Sequence, residues 1–227
     1  SIITSDFETA QYAWRDANSF VHGAAECDRA IMAGHLEPVP AADVARSLRE
    51  GHVHPWTVVQ QSADKWRACQ DYSSVTNRRV ASKPFTLPSV WDVRKVVGPN
   101  THFVKHDLRD GFWSVPVAAA SRHHLMIRHP ATGQLLRCTS LPFGYALSPL
   151  HFCDVTESVA TLFRRRCAGK GIHCWVFVDD FLIGGDTEEA AREGNRLFLE
   201  LLAELGLPYA PHKARGPTQV VEFLGFL

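Results

Sequence analysis

Apolar residues recur at helical spacing in two long stretches of the chain. One stretch runs from Ser148 to Phe163 and the other from Asp186 to Leu205, and both predict amphipathic helices. Ser148-Pro149 is typical of a helix start, and Gly206 is typical of a helix end. Weaker helical patterns predict shorter helices at 24–32, at 41–48 and at 87–97, the last entered at Pro88.

Runs rich in β-branched and aromatic residues predict strands between these helices. Two hairpins are expected, one from residues 56–61 and 66–70 and one from residues 123–127 and 134–139. Other extended segments are expected near 103–104, 174–183, 207–210 and 220–224. The order strand, helix, hairpin, helix, strand is that of a split βαβ unit, which predicts an α+β fold with an antiparallel sheet packed on helices.

Asp179 and Asp180 interrupt the apolar run 174–183, which predicts two buried strands joined at the aspartates. Two carboxylates about 4 Å apart repel by roughly 4 kcal/mol at an effective dielectric near 20. One interpretation is a solvated turn, since aspartate is common in turns. The other is a site for a divalent cation such as Mg²⁺ or Mn²⁺, which prefers oxygen ligands.

Asp107 is a third candidate carboxylate, at the end of the predicted strand that contains Phe103 and Val104. Taken alone, it is most simply a cap of the following turn. Together with Asp179 and Asp180, it supplies the carboxylates that a two-metal nucleotidyl transferase needs.

Overall charge argues mildly against nucleic-acid binding, because Lys and Arg total 24 and Asp and Glu also total 24. Basic residues are nevertheless concentrated within 60–95 and at Arg164–Arg166 with Lys170, the latter without an acid beside it in the sequence. Such patches can steer a polyanion even at zero net charge. The arginine run equally fits a helix end, where cations favour the dipole.

No run of 18 apolar residues is present, so no membrane span is predicted. Six cysteines without a Cys-x-x-Cys pair indicate free thiols in a reducing, intracellular compartment, and zinc is not favoured. The start has no Met and no signal-peptide pattern, and we expect a fragment of a longer polypeptide.

Six sequence motifs occur in order at 65–77, 106–112, 141–149, 177–180, 206–213 and 221–225. Together they resemble the motifs of the fingers and palm of a reverse transcriptase. The Pro-Phe-Gly form of the motif at 141–149 is more similar to LTR-retrotransposon, DIRS-type or plant pararetrovirus enzymes than to retroviral ones. Departures from the family pattern are Phe177 for a tyrosine, Gln70 for an aliphatic residue and Ser73 for an arginine.

The resemblance implies the fingers and palm of a right-hand polymerase, with no thumb in this chain. The implied domains are an N-terminal helical segment at 1–50, fingers at 51–100 and a palm at 101–227, with a fingers hairpin near 118–140. It also implies a thumb elsewhere in the full-length polypeptide and leaves an RNase H domain open.

The resemblance also implies the catalytic roles. Asp107 and Asp179 would bind two Mg²⁺ ions, with Mn²⁺ as a substitute, and Asp180 would be a weaker or outer ligand. The Leu108 carbonyl would add an oxygen ligand, and Lys213 would protonate the pyrophosphate leaving group.

Nucleotide and primer contacts follow from the same resemblance. Lys65 and Arg67 would bind the triphosphate, and Phe112 would exclude the 2′-hydroxyl of an rNTP. The implied nucleotide-binding residues are Lys65, Arg67, Asp110, Gly111, Phe112, Phe143 and Gly144. The implied primer-binding residues are Phe177, Val178, Phe223, Leu224 and Gly225.

The leading functional hypothesis is a DNA polymerase that adds dNTPs to a primer on an RNA or DNA template. A second hypothesis is a catalytically silent reverse-transcriptase-like scaffold that binds RNA, although all three aspartates are present. An RNA-dependent RNA polymerase ranks below both, because Val178 precedes the aspartate pair where those enzymes usually carry glycine, and Phe112 stands where a smaller polar residue is usual.

Overall fold

A computed structural model describes residues 17–62, 65–81, 84, 86, 87, 89–109 and 111–224. The α-helices are α1 (Ala17–Met32), α2 (Val44–Glu50), α3 (Thr76–Arg79), α4 (Val90–Arg94), α5 (Ser148–Arg166) and α6 (Glu188–Glu204). The strands are β1 (Leu36–Pro38), β2 (Val53–His54), β3 (Trp56–Ser62), β4 (Lys65–Gln70), β5 (His102–Asp107), β6 (Met126–Arg128), β7 (Leu135–Cys138), β8 (Ile172–Phe177), β9 (Asp180–Gly185) and β10 (Arg215–Thr218). Short 3-10 turns lie at Ala41–Asp43, Gly111–Ser114, Ala119–His124 and Pro211–Lys213.

The chain divides into two compact units. The first comprises the chain up to residue 82 together with residues 112–148. The second comprises residues 83–111 together with the chain from residue 149 onward. Within the described residues, no helix has both the length and the apolar character needed to cross a bilayer.

The first unit contains a four-stranded sheet in the order β1-β7-β6-β2 and a separate hairpin of β3 and β4. Its core includes the buried residues Tyr72, Ile127 and Leu136. Burying each such side chain contributes about 1.5–3 kcal/mol. Both predicted hairpins are confirmed, although β6 and β7 are shorter than expected because His123 and His124 lie in a 3-10 turn.

The second unit is built on an antiparallel sheet in the order β10-β5-β9-β8. One face packs on helices: the ring of Phe181 lies 4.9 Å from that of Phe198 in α6, which lies 5.3 Å from that of Phe163 in α5. Alternation along β9 places Leu182 on the opposite face, in a cluster that also contains Phe103. The order β5, α5, β8–β9, α6, β10 is the split βαβ arrangement, and the predicted α+β class is confirmed.

A buried histidine ties the central strand of this sheet to α6. His106 is 2% exposed and its Nε2 donates to Oδ1 of Asn195 at 2.7 Å. Burial lowers the pKa of His106, so the neutral ring is favoured there. The hydrogen bond fixes the position of the strand immediately before Asp107.

One predicted helix and one predicted strand of the second unit have different bounds in the structure. The helix expected at 87–97 is only Val90–Arg94, where Ser89 and Asp92 form a capping box, and Pro88 lies outside the described residues. The strand expected at 220–224 is instead β10, which pairs with β5 at Arg215 and Thr218. The apolar residues at 220–224 led to a wrong position for this edge strand. Arg215–Thr218 pairs through backbone hydrogen bonds, which do not require an apolar pattern.

Candidate active site

The turn between β8 and β9 contains Val178 and Asp179, and Phe177 pairs directly with Asp180. The expectation that the strands are joined at the two aspartates is therefore wrong by one residue, since Asp180 is the first residue of β9. Val178 has a φ of +58°. A β-branched residue in this left-handed region costs roughly 1–2 kcal/mol, and glycine is the usual choice there. Strain is thus stored beside Asp179.

Strand register brings the predicted carboxylates together at one end of the sheet of the second unit. Asp107 ends β5 and is the direct cross-strand partner of Asp180. The N–H of Leu108 donates to the carbonyl of Asp179 at 3.2 Å, which ties the turn to the end of β5. We call Asp107, Asp179 and Asp180 with this backbone the carboxylate end.

Burial and neighbouring negative charge both disfavour the ionised form of Asp179. Burial raises the pKa of Asp179, and the negative charges of Asp107 and Asp180 raise it further. The ionised site therefore favours a nearby cation.

Two lysines supply positive charge to the carboxylate end. Nζ of Lys213 lies 2.8 Å from Oδ1 of Asp107, and this hydrogen bond raises the pKa of Lys213. Nζ of Lys105 lies 3.2 Å from Oδ2 of Asp180. A role was predicted from the sequence for Lys213 but not for Lys105. Lys105 is two residues before Asp107 on β5, so the two side chains lie on the same face of the sheet.

An open cleft of about 660 Å³ adjoins the carboxylate end. Its walls combine acidic and basic side chains with a segment that follows β10. The charged lining residues are Lys105, Asp107, Asp180, Lys213, Arg215 and Glu222. The cleft is thus large enough and charged enough for a polar ligand beside the carboxylates.

The donor chemistry of the carboxylate end fits Mg²⁺ or Mn²⁺, because carboxylate oxygens are the ligands these ions prefer. Burial raises the pKa of Asp179, and the carboxylates of Asp107 and Asp180 add to this shift. Among the described residues, no three His, Cys, Asp or Glu side chains already surround one point. Asp107 and Asp180 instead contact the ammonium groups of Lys213 and Lys105.

The first unit holds the predicted Pro-Phe-Gly motif in a tightly packed loop, residues 142–146, which we call the Phe-Gly loop. Gly144 has a φ of +92°, and a Cβ atom there would lie 2.0 Å from the carbonyl oxygen of Gln70. Only glycine permits this close approach. The ring of Phe143 lies 5.0 Å from that of Phe112 and 6.1 Å from that of Trp113.

Asn77 holds the Phe-Gly loop by two side-chain hydrogen bonds. Its Nδ2 donates to the carbonyl of Gly144 at 2.9 Å, and its Oδ1 accepts from the N–H of Ala146 at 2.9 Å. This role of Asn77 was not predicted from the sequence, because its hydrogen-bond partners are 67 and 69 residues away along the chain.

The remaining predicted nucleotide-binding residues are partly described. Arg67 lies on β4 opposite Val59 and is exposed. Lys65 is the first residue of the same strand, and its side chain lies outside the description. Gly111 has a φ of +40°. Asp110 lies outside the described residues.

Three of the predicted primer-binding residues share one apolar cluster in the second unit. Phe223 is buried there, with Phe177 and Leu224 packed against it. Val178 lies in the neighbouring turn, and Gly225 lies outside the described residues.

Arg164 and Arg166, in the arginine run at the end of α5, have acidic partners in the structure, although no acid stands beside the run in the sequence. Arg164 pairs with Glu157 and donates to the carbonyl of Cys174, while Arg166 pairs with Glu204 at 2.6 Å. These contacts favour the helix-end interpretation.

The cysteines are free thiols, as predicted.

Comparisons with known proteins agree with this geometry. The family model described as "Reverse transcriptase (RNA-dependent DNA polymerase)" matches residues 55–227. The Gag-Pol polyprotein of avian reticuloendotheliosis virus is 29% identical over 193 residues, 82% of this chain and 16% of that protein. The Pol polyprotein of transposon 412 from Drosophila melanogaster is 26% identical over 164 residues, 71% of this chain and 12% of that protein.

A solved structure supports the fold. It is a foamy viral protease-reverse transcriptase in complex with double-stranded DNA, with a TM-score of 0.67 and 22% identity. The match covers 86% of this chain and 31% of that one. This chain therefore spans less than a third of that solved chain and about a sixth of the avian polyprotein. The family match, the ordered motifs and the fold together establish that the chain belongs to the reverse transcriptase family.

Proposed function

We propose that this chain contains the fingers and palm of a polymerase that adds dNTPs to the 3′-hydroxyl of a primer on an RNA or DNA template. The proposed domains are an N-terminal helical segment at 1–50, fingers at 51–100 and a palm at 101–227, with a fingers hairpin near 118–140. The observation that carries the proposal is the carboxylate end, where strand register brings Asp107 and Asp180 together and the adjoining turn adds Asp179. The silent-scaffold alternative is not favoured, because all three carboxylates are retained.

Asp107 and Asp179 would hold two Mg²⁺ or Mn²⁺ ions, with Asp180 and the carbonyl of Leu108 at the periphery. When bound, such ions lower the pKa of the attacking hydroxyl and neutralise phosphate charge. The protein contributes by keeping the carboxylates on strands and on a turn whose backbone is tied to Leu108. A template with its primer and dNTPs are the proposed partners.

Lys213 is the proposed general acid. Its hydrogen bond to Asp107 raises its pKa, so its ammonium group stays protonated at neutral pH. The proton would pass from Nζ to the leaving pyrophosphate oxygen as the bond between the α- and β-phosphates breaks. Because the side chain is 53% exposed, it can turn from Asp107 toward a bound nucleotide.

The first unit would bind and select the nucleotide. Phe112, with its ring against Phe143, would leave no room for a 2′-hydroxyl. Arg67 and Lys65 would bind the triphosphate, the arginine through its planar fork and the lysine as a point charge. Asp110, Gly111 and Gly144 are the other proposed nucleotide-binding residues.

The primer terminus would lie against the apolar cluster of Phe177 and Phe223 in the second unit. Val178, Leu224 and Gly225 would contribute backbone and apolar contacts there. We propose that the natural polypeptide also contains a thumb.

Single-nucleotide primer extension tests the proposal. The assay compares RNA and DNA templates, Mg²⁺ and Mn²⁺, and dNTPs and rNTPs, with Asp179→Asn as the control. We expect dNTP addition on both templates, no addition of rNTPs and no product from Asp179→Asn. Equal products from the variant would contradict the proposed catalytic role of the carboxylates. If no product forms, the same assay on a longer stretch of the natural polypeptide decides between the polymerase and the scaffold.

A further inference from the structure

The two lysines at the carboxylate end are held in different ways. Lys105 is in the interior of β5, which lies between β9 and β10, and its side chain is 25% exposed. Lys213 is on a short 3-10 turn, and its side chain is 53% exposed. The cation beside Asp180 is therefore fixed by the sheet, whereas the cation beside Asp107 is on a surface turn.

Sheet geometry explains why Lys105 reaches Asp180. Asp107 is directly opposite Asp180, and Lys105 is directly opposite Leu182. Lys105 and Asp180 are thus diagonal neighbours on one face, about 7–8 Å apart at the backbone and within reach of a long side chain. The resulting Nζ–Oδ2 distance is 3.2 Å. An ammonium group held this way cannot leave by movement of a loop.

We propose that Lys105 is a fixed counter-cation of Asp180 that makes this carboxylate a peripheral ligand and limits the affinity of the carboxylate end for divalent cations. The ammonium group engages one oxygen of Asp180 and repels a second cation nearby. Asp107 and Asp179 then remain the principal ligands. This inference rests on the proposed function, because it presumes that those two residues bind Mg²⁺ or Mn²⁺.

Mn²⁺ binding in the absence of primer and nucleotide tests the inference. Free Mn²⁺ is measured by electron paramagnetic resonance during titration of the protein. We expect Lys105→Met to bind Mn²⁺ roughly fivefold more tightly, the effect of one partly exposed charge. Lys105→Arg keeps the charge and should retain the original affinity.

Lys170→Met is a matched control that removes one positive charge from the same unit. Lys170 is exposed and precedes β8, whose first residue, Ile172, pairs with Gly185 at the end of the sheet opposite Asp180. We expect no change in Mn²⁺ affinity. Lys105→Gln serves as a second neutral variant if Lys105→Met does not fold, as judged by thermal unfolding.

A double-mutant cycle with Asp180→Asn tests whether Lys105 acts through Asp180. We expect the gain from Lys105→Met to fall below roughly twofold in the Asp180→Asn background. An unchanged affinity of Lys105→Met and Lys105→Gln, or an equal gain in both backgrounds, would overturn the inference.

Failure of the proposed function gives a different result. If Asp107→Asn and Asp179→Asn leave Mn²⁺ affinity unchanged, the proposed metal ligands are wrong and the inference falls with them. If those two variants weaken binding while Lys105→Met has no effect, only the role of Lys105 is wrong.

Discussion

The carboxylate end of the second unit stores electrostatic repulsion, whereas the Phe-Gly loop of the first unit is held by close packing and hydrogen bonds. The carboxylate end concentrates like charges, so that burial and the neighbouring carboxylates raise the pKa of Asp179. The Phe-Gly loop has its backbone packed against Gln70 and hydrogen-bonded by Asn77. Under the proposed function, the region that would bind cations stores repulsion that the cations would relieve, whereas the region that would contact the nucleotide is held in one shape.

Removing a carboxylate should have the largest effect on activity. We expect Asp107→Asn to lower the rate of nucleotide addition by roughly 10³-fold or more, because one of the two proposed principal metal ligands is lost. Rapid-quench measurement of single-nucleotide addition checks this. Asp43→Asn, which changes a partly exposed carboxylate of the first unit, is the control and should retain full activity. A similar loss in the control would show that the effect is not local.

Crowding the Phe-Gly loop should have the largest effect on stability. We expect Gly144→Ala to lower the free energy of unfolding by about 2–4 kcal/mol, through backbone strain and contact with Gln70. Gly133→Ala is the matched control, because Gly133 has a φ of +69° with no atom within 4 Å of the added Cβ. It should cost only about 1–2 kcal/mol. Equal losses in urea denaturation would mean that contact with Gln70 is unimportant.

Loosening the same loop should change nucleotide binding rather than chemistry. We expect Asn77→Ala to raise the KM for dNTP roughly five- to thirtyfold, since two hydrogen bonds are lost. The KM for primer–template should change little. Hydrogen exchange of the Ala146 amide should become faster. Unchanged hydrogen exchange together with an unchanged KM for dNTP would contradict the role of Asn77 in holding the Phe-Gly loop.

Relieving strain beside Asp179 should have a smaller effect. We expect Val178→Gly to raise the free energy of unfolding by about 1 kcal/mol or less, because glycine adopts the observed φ of +58° without strain but is more flexible when unfolded. Val176→Gly, in the buried part of β8, should instead be strongly destabilising. A destabilising effect of Val178→Gly as large as that of Val176→Gly would contradict the strain.

The free energy of unfolding should depend on pH through the raised pKa of Asp179. The folded-state pKa of Asp179 is raised above its ordinary value of 3.8. The folded protein therefore binds the proton more tightly than the unfolded chain, and this contribution to stability is lost as the pH rises from the ordinary pKa through the raised one. We expect Asp179→Asn to be more stable than the original protein at neutral pH with EDTA present, and the gain to fade in acid. Thermal unfolding as a function of pH provides the measurement, and a gain independent of pH would contradict the assignment.

Elements defined by a long apolar period were predictable from the sequence. The period from Ser148 and the period that ends before Gly206 gave α5 and α6, because burial of a helical face needs no knowledge of distant residues. The three aspartates stood out for a similar reason, since charges inside apolar strands are unfavourable without a partner.

Features that depend on distant pairing were not predictable. β10 has little apolar pattern and is held by its register with β5. Lys105 and Asn77 gain their roles from partners 75 and 67 residues away, Asp180 and Gly144. The acids that pair with the arginine run were missed for the same reason.

One comparison tests the central claim, which is that the carboxylate end performs the chemistry and the Phe-Gly loop positions the nucleotide. Steady-state addition of a single dNTP is measured for Asp179→Asn and Asn77→Ala under identical conditions. The account predicts that Asp179→Asn loses kcat, whereas Asn77→Ala keeps most of its kcat and shows a raised KM for dNTP. Retained kcat in Asp179→Asn, or the same loss of kcat in both variants, would contradict it.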